Sequence, residues 1–171
     1  NLSVTSAGAG SQTGALTVAG STGINAGPNA ITLTVATNNF TDAVSLSNSG
    51  ANNVSVTDTN GLVLGTLSVG TGTLTVTAVG ITQTGAITQA AGAGAASFIG
   101  GAGVITLTQA NDFTGAVSLS NSGANNVSIT DTNGLVLGTS SVGTGTLTVT
   151  AVGITQTGAI TQAAGAGAAS F

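Results

Sequence analysis

The sequence predicts an all-β fold, a β-solenoid in which successive coils stack parallel strands along one axis. Three observations carry this: apolar and hydroxyl residues alternate with period two, a 73-residue unit recurs almost unchanged, and charge and aromatic rings are nearly absent.

The alternation marks the strands. Ala43-Val-Ser-Leu-Ser47, Asn53-Val-Ser-Val-Thr57, Thr73-Leu-Thr-Val-Thr77 and Ile105-Thr-Leu-Thr108 place every second side chain on one apolar face, as a half-buried strand requires. Valine and threonine favour strands because their branched side chains fit a pleated surface. Between these runs stand turn formers: Asn48-Ser-Gly50, Asn60-Gly61, Gly70-Thr-Gly72 and Gly85. A local helix is conceivable only in the Ala/Gly stretch Ala90–Ala96. The segment Ala90–Gly103 reads as a tight bend or a place of close backbone approach.

The repeat gives the organisation. Asn38–Phe98 returns as Asn111–Phe171, offset by 73 residues, with four differences: Asn39/Asp112, Asp42/Gly115, Val56/Ile129 and Leu67/Ser140. A weaker copy precedes it, Ile31–Phe40 resembling Ile105–Phe113. We therefore expect degenerate preceding coils over residues 1–37, a first unit over 38–110 and a second, truncated one over 111–171, all in one continuous solenoid. The unit divides into Phe40–Gly61, Leu62–Gln83 and Thr84–Asp112, coils of 22, 22 and 29 residues. That division gives about seven coils of roughly 22–29 residues. The absence of an initial methionine and of a leader, and an end at the counterpart of Phe98, point to a piece of a longer array. A pair of immunoglobulin-like sandwiches would need larger core aromatics than this chain has.

Composition narrows the function. Among 171 residues there is no Lys, Arg, His, Cys, Met, Trp or Tyr, and the only acids are Asp42, Asp58, Asp112 and Asp131. Phosphate neutralisation needs cations, so no nucleic-acid partner is expected. Thiol, imidazole and zinc-thiolate chemistry are absent by count. No apolar run approaches the roughly 20 residues of a membrane-spanning helix. Aromatic girdles for a transmembrane barrel are also lacking.

Stacked coils bury aliphatic ladders and leave Ser and Thr outward, where water satisfies them. Corner asparagines can stack along the axis; Asn52 and Asn53, with their copies Asn125 and Asn126, are the positions expected to form such a ladder. Phrases such as Asn111-Asp-Phe-Thr-Gly-Ala-Val-Ser-Leu-Ser120 and Asn125-Asn-Val-Ser-Ile-Thr-Asp-Thr-Asn-Gly134 resemble the repeats of filamentous haemagglutinin-like and autotransporter-like bacterial surface adhesins. That resemblance implies a right-handed parallel β-helix, export to the cell surface, and a role as adhesin stalk or extracellular fibre.

Candidate sites are few. Asp58 and Asp131 hold one position in successive units, within Thr-Asp-Thr-Asn-Gly, and read as turn-bonding aspartates. A calcium site wants several clustered carboxylates, and glycosidase chemistry a retained pair. Asp42 becomes Gly115 and Asn39 becomes Asp112, so no such pair repeats. No catalytic, metal or cofactor residue is expected, and no enzymatic activity. The Thr71–Thr77 run and its copy Thr144–Thr150 suggest threonine ladders of the ice-binding kind, although their differing phases argue against one flat array. Among the Asn-x-Ser/Thr sequons at Asn1, Asn39, Asn53 and Asn126, those at Asn53 and Asn126 are candidates for glycosylation. The expected function is a structural segment of a long tandem-repeat fibre or adhesin stalk, secreted or at the bacterial surface. Its partners would be other copies of itself, or a surface glycan or protein. The alternative is a binding module using one solenoid face.

Overall fold

The computed structural model describes all 171 residues and contains strands and turns but no helix. The chain winds into a β-solenoid of about eight turns, every strand pair parallel. Two ten-stranded sheets run along the axis, with a two-stranded strip where Thr17–Val18 meets Asn39–Phe40. Sheet one holds in order Leu2–Thr5, Thr22–Asn25, Val44–Ser47, Leu62–Val69, Ile81–Gln83, Ile105–Asn111, Val127–Asp131, Leu147–Thr150 and Ala169–Ser170, with Ile87–Gln89 as its tenth strand, paired to Leu62–Val69. Sheet two holds Gly10–Ser11, Ile31–Leu33, Val54–Thr57, Leu74–Thr77, Ala96–Ile99, Val117–Ser120, Gly134–Leu137 and Gly153–Gln156, with Ser140–Val142 paired beside Val117–Ser120 and Ile160–Gln162 beside Ser140–Val142 completing the ten. Strand order follows chain order in both, so the rod grows steadily from one end to the other.

One turn separates partners such as Leu62 and Ile81, Val54 and Leu74, or Ile81 and Ile105, spacings of 19, 20 and 24 residues. The turns thus run from 19 to 24 residues, overlapping the lower part of the 22–29 expected, and the chain makes about eight turns where the sequence division gave about seven. The division itself is corrected by strand placement. Val44–Ser47 lies in sheet one, but its copy Val117–Ser120 lies in sheet two. Val54–Thr57 and Leu74–Thr77 lie in sheet two, and their copies Val127–Asp131 and Leu147–Thr150 in sheet one. Between Val44 and Val117 the chain crosses from one sheet to the other seven times. The 73-residue unit is therefore three and a half turns rather than three coils, and successive copies face opposite ways.

The period-two alternation works as predicted in the central strands. Val44, Leu46, Val54, Val56, Leu74, Val76, Val117 and Leu119 are buried, while the Ser and Thr between them are half-buried. Thirty-two buried apolar residues form one continuous core through all the central turns, with no break at a repeat boundary. Each buried aliphatic side chain is worth about 1.5–3 kcal/mol. Phe98 and Phe113 bridge the repeat junction edge-to-face, with ring centroids 5.9 Å apart and planes at 78°.

Corners are bonded turn to turn as firmly as strands. Of 92 backbone hydrogen bonds, 47 lie outside the regular strands, and they include Thr59 N–H to Asn38 O at 2.8 Å and Val79 N–H to Asn60 O at 2.8 Å. Close stacking explains the corner glycines: a Cβ on Gly70 would land on the Gly50 carbonyl, and one on Gly143 on that of Gly123. The Ala/Gly segment forms a tight bend closed by Ala93 N–H to Ala90 O at 3.1 Å, followed by the strand Ala96–Ile99.

Candidate functional site

The surface chemistry is built from hydroxyls on strands and amides at corners. On sheet two, register aligns Thr32, Ser55, Thr75 and Ser97 in one column, extended by Ser11 and Ser118 at its ends. Two residues further along the strands a second column begins with Thr57 and Thr77 and meets Ile99 and Ser120. Sheet one repeats the arrangement: Thr106, Ser128, Thr148 and Ser170 align, beside Thr130 and Thr150. These are the same residues of the unit, carried to the opposite side by the half turn. Neighbours in a column stand about 4.8 Å apart, and the two columns about 6.8 Å apart. The Thr71–Thr77 run and its copy Thr144–Thr150 divide between the two sheets and do not form one flat array; within each sheet their threonines align with Ser and Thr of neighbouring strands. On sheet one, Gly23 interrupts a hydroxyl column and leaves a depression lined by Ser3, Ser45 and Thr66.

Two sets of buried corner amides hold the turns in place, and neither was singled out from sequence. Asn48 donates to Asn29 O at 3.2 Å and Asn52 O at 2.8 Å, and accepts from Gly70 N–H at 2.8 Å. Its copy Asn121 repeats the pattern with Gly103 O, Asn125 O and Gly143 N–H. Each side chain thus satisfies backbone groups of three consecutive turns, which strand pairing cannot reach at a corner. Asn38 and Asn111 are fully buried and exchange reciprocal amide bonds with Gln12 and Gln83. Each also accepts from one backbone N–H, Leu16 or Ile87, and donates to two carbonyls. The available signal was the recurrence of Asn just before a buried Phe, at Asn38/Phe40 and Asn111/Phe113.

The predicted corner residues Asn52, Asn53, Asn125 and Asn126 are exposed and do not stack on other asparagines. Asn52 and Asn125 donate to Pro28 O and Ala102 O in the preceding turn, while Asn53 and Asn126 accept from Thr73 and Thr146 N–H in the next. Their partners are backbone, because the turn above brings Ala30 and the turn below Thr73 to the level of Asn53. The two sequon asparagines thus face solvent at the strand entrance.

Asp58 and Asp131 are buried, each accepting a backbone bond from the preceding turn: Phe40 N–H to Asp58 at 3.0 Å and Phe113 N–H to Asp131 at 2.9 Å. The second oxygen of each carboxylate is enclosed and has no partner. Burial raises the pKa of both carboxyls above the ordinary carboxylate value, opposed by the backbone N–H groups that favour the charge. Asp131 is raised further by the charge of Asp112, where the first unit has neutral Asn39. Asp112 itself accepts from the Asn133 amide at 2.9 Å. Asp42 is exposed and caps the backbone of Ala43. No three carboxylate, imidazole or thiol groups converge anywhere in the rod.

A family model described as repeats of unknown function, DUF5649, matches residues 1–47, 51–120 and 124–171. Its first two segments end at Ser47 and Ser120, equivalent residues 73 positions apart and just before the buried corners Asn48 and Asn121. No curated protein and no solved structure matches the chain.

Proposed function

Because the chain belongs to the DUF5649 repeat family, which covers nearly all of it, we propose that it is a structural segment of a long extracellular or cell-surface fibre or adhesin stalk. The observation that carries this reading is the uninterrupted core: two near-identical units continue one another through Phe98 and Phe113 with no cap between them. A unit that ends in mid-turn has value only when another continues it. Each added repeat extends the rod by three and a half turns, about 17 Å. The missing lysines and arginines favour life outside the cell, since trypsin-like proteases find no cleavage site. So does the texture shared with filamentous haemagglutinin-like repeats.

Imaging and small-angle scattering of arrays with increasing repeat number test the reading. Rods lengthening by about 17 Å per repeat at constant width are expected; compact particles whose width grows with mass would refute it.

The aligned hydroxyl columns favour a second reading, in which a face binds a periodic surface such as ice or a glycan. Ice-recrystallisation and glycan-array assays on single rods decide it. Activity in either supports that reading, and silence at micromolar protein removes it.

A further inference from the structure

The half-integral turn count says more about the hydroxyl faces than that they exist. Thr32, Ser55, Thr75 and Ser97 on sheet two are the counterparts of Thr106, Ser128, Thr148 and Ser170 on sheet one. The rod thus has an approximate two-fold screw axis, and its two broad faces carry one pattern, stepped by about 17 Å. We propose that rods pack side by side through these faces, the occupant of each face being a second copy of the chain. The proposal rests on the fibre reading and names its lateral partner.

Three observations select a second copy. A hydroxyl both donates and accepts, so a Ser/Thr column complements another of the same spacing. The faces repeat at the inter-strand distance of about 4.8 Å, which another rod of this kind matches along its whole length, as in stacked cross-β sheets. Little charge opposes the approach: Asp42 and Asp58 sit at corners, Asp131 ends its strand with its carboxylate buried, and the half-buried Asp112, bridged to Thr88, is the one acid in line with sheet one. Because the two faces are equivalent, a rod that has used one face still offers the other. The contact does not close on itself, so the product is a growing layer rather than a dimer.

Area sets a length threshold. Eight turns by a four-residue strand give a face of about 38 Å by 13 Å, on the order of 500 Å². Stable interfaces bury about 800 Å² per partner. The 171-residue chain falls short, and a chain extended by two further 73-residue copies exceeds it.

The experiment compares these two lengths by sedimentation and electron microscopy, with far-ultraviolet circular dichroism confirming β structure in every variant. The short chain should sediment as single rods and the extended chain as multi-rod layers. In the extended chain, Thr75→Lys with the same change in alternate repeats charges one face and should stop assembly at pairs. Adding Thr148→Lys and its counterparts charges both faces and should leave single rods. Aspartate in place of lysine provides a second set should the lysine variants fold poorly. Extended wild-type chains that remain single rods, or layers that persist with one face charged, overturn the proposal. So does capture of single rods by ice or glycan without rod–rod association. Single rods of the expected length leave the fibre reading intact, whereas compact particles remove both.

Discussion

The two repeats compare one sequence in two settings. Over 61 aligned positions they differ at four, yet the strands from Val44–Ser47 to Ala96–Ile99 all have their copies in the other sheet. Because the buried set, as far as Val76 and its copy Val149, and the corner bonds are preserved across that swap, they belong to the turn itself and not to one side of the rod. Asn48 and Asn121 make the same three kinds of bond, as do Asn38 and Asn111. The differences then act as substitutions already made. At Leu67 the first unit buries an aliphatic side chain within one eight-residue strand, Leu62–Val69. At Ser140 the second buries a hydroxyl that accepts from Leu119 N–H at 3.1 Å and donates to Gly138 O at 3.2 Å, and the strand divides into Gly134–Leu137 and Ser140–Val142. A local backbone bond replaces apolar packing without shifting the turns that follow.

The equivalence is broken most forcefully at the corner amides. Asn48→Ala and Asn121→Ala each strand a buried glycine N–H and two carbonyls, and should each cost about 3 kcal/mol or more. Urea-denaturation midpoints should fall equally for the two variants; a large inequality would mean that the faces are not interchangeable. Next comes the Leu67/Ser140 exchange. Leu67→Ser should destabilise by about 2–4 kcal/mol through lost burial. Ser140→Leu should return only about 1 kcal/mol, because it removes the hydroxyl that serves Leu119. Equal and opposite changes would show that the serine hydrogen bonds are immaterial.

Acid should sharpen the contrast. Asp58 and Asp131 are desolvated when folded and hydrated when unfolded, so their folded-state pKa lies above the unfolded value. At neutral pH the folded rod carries that cost. As pH falls through the raised values toward the unfolded one, the cost disappears and stability rises. The thermal midpoint should therefore climb between pH 7 and pH 3, with the larger gain in the second repeat, where Asp112 adds repulsion. Asp112→Asn should reduce that excess and leave the contribution of Asp58 untouched; a midpoint that drops steadily with acid would contradict the assignment. Smallest of all, Ser55→Ala and Ser128→Ala, on opposite faces, should each change stability by less than about 0.5 kcal/mol. A larger loss in calorimetry would mean that the outward hydroxyls hold the turn together.

Strand identity was legible because alternation such as Val44-Ser-Leu-Ser47 admits one buried face only. The turn count was not. Both sheets demand the same alternation, so nothing in Val54-Ser-Val-Thr57 or its copy says which sheet receives it. A division into whole coils hid the half turn. Corner chemistry was legible as a type and misplaced as residues: exposed Asn52 and Asn53 looked like a stack, while Asn48, four residues earlier, reaches the carbonyl of Asn52 and does the bonding. Long-range partners such as Gln12 and Asn38, 26 residues apart, depend on coil length and could not be found before it was known. Asp58 was correctly read as a turn-bonding carboxylate in part; its bond to Phe40 crosses to the preceding turn, which spacing alone does not reveal.

The half turn also gives copy number an angular meaning. Gaining or losing one 73-residue unit lengthens the rod by about 17 Å and turns everything beyond it to the opposite side. Gaining or losing two restores the original orientation and changes reach alone. Near-identical units are the kind that recombination readily adds or deletes, so such an array would vary in steps that alternate between facing and averted. Parity of the repeat count, as much as the count itself, determines what the far end presents.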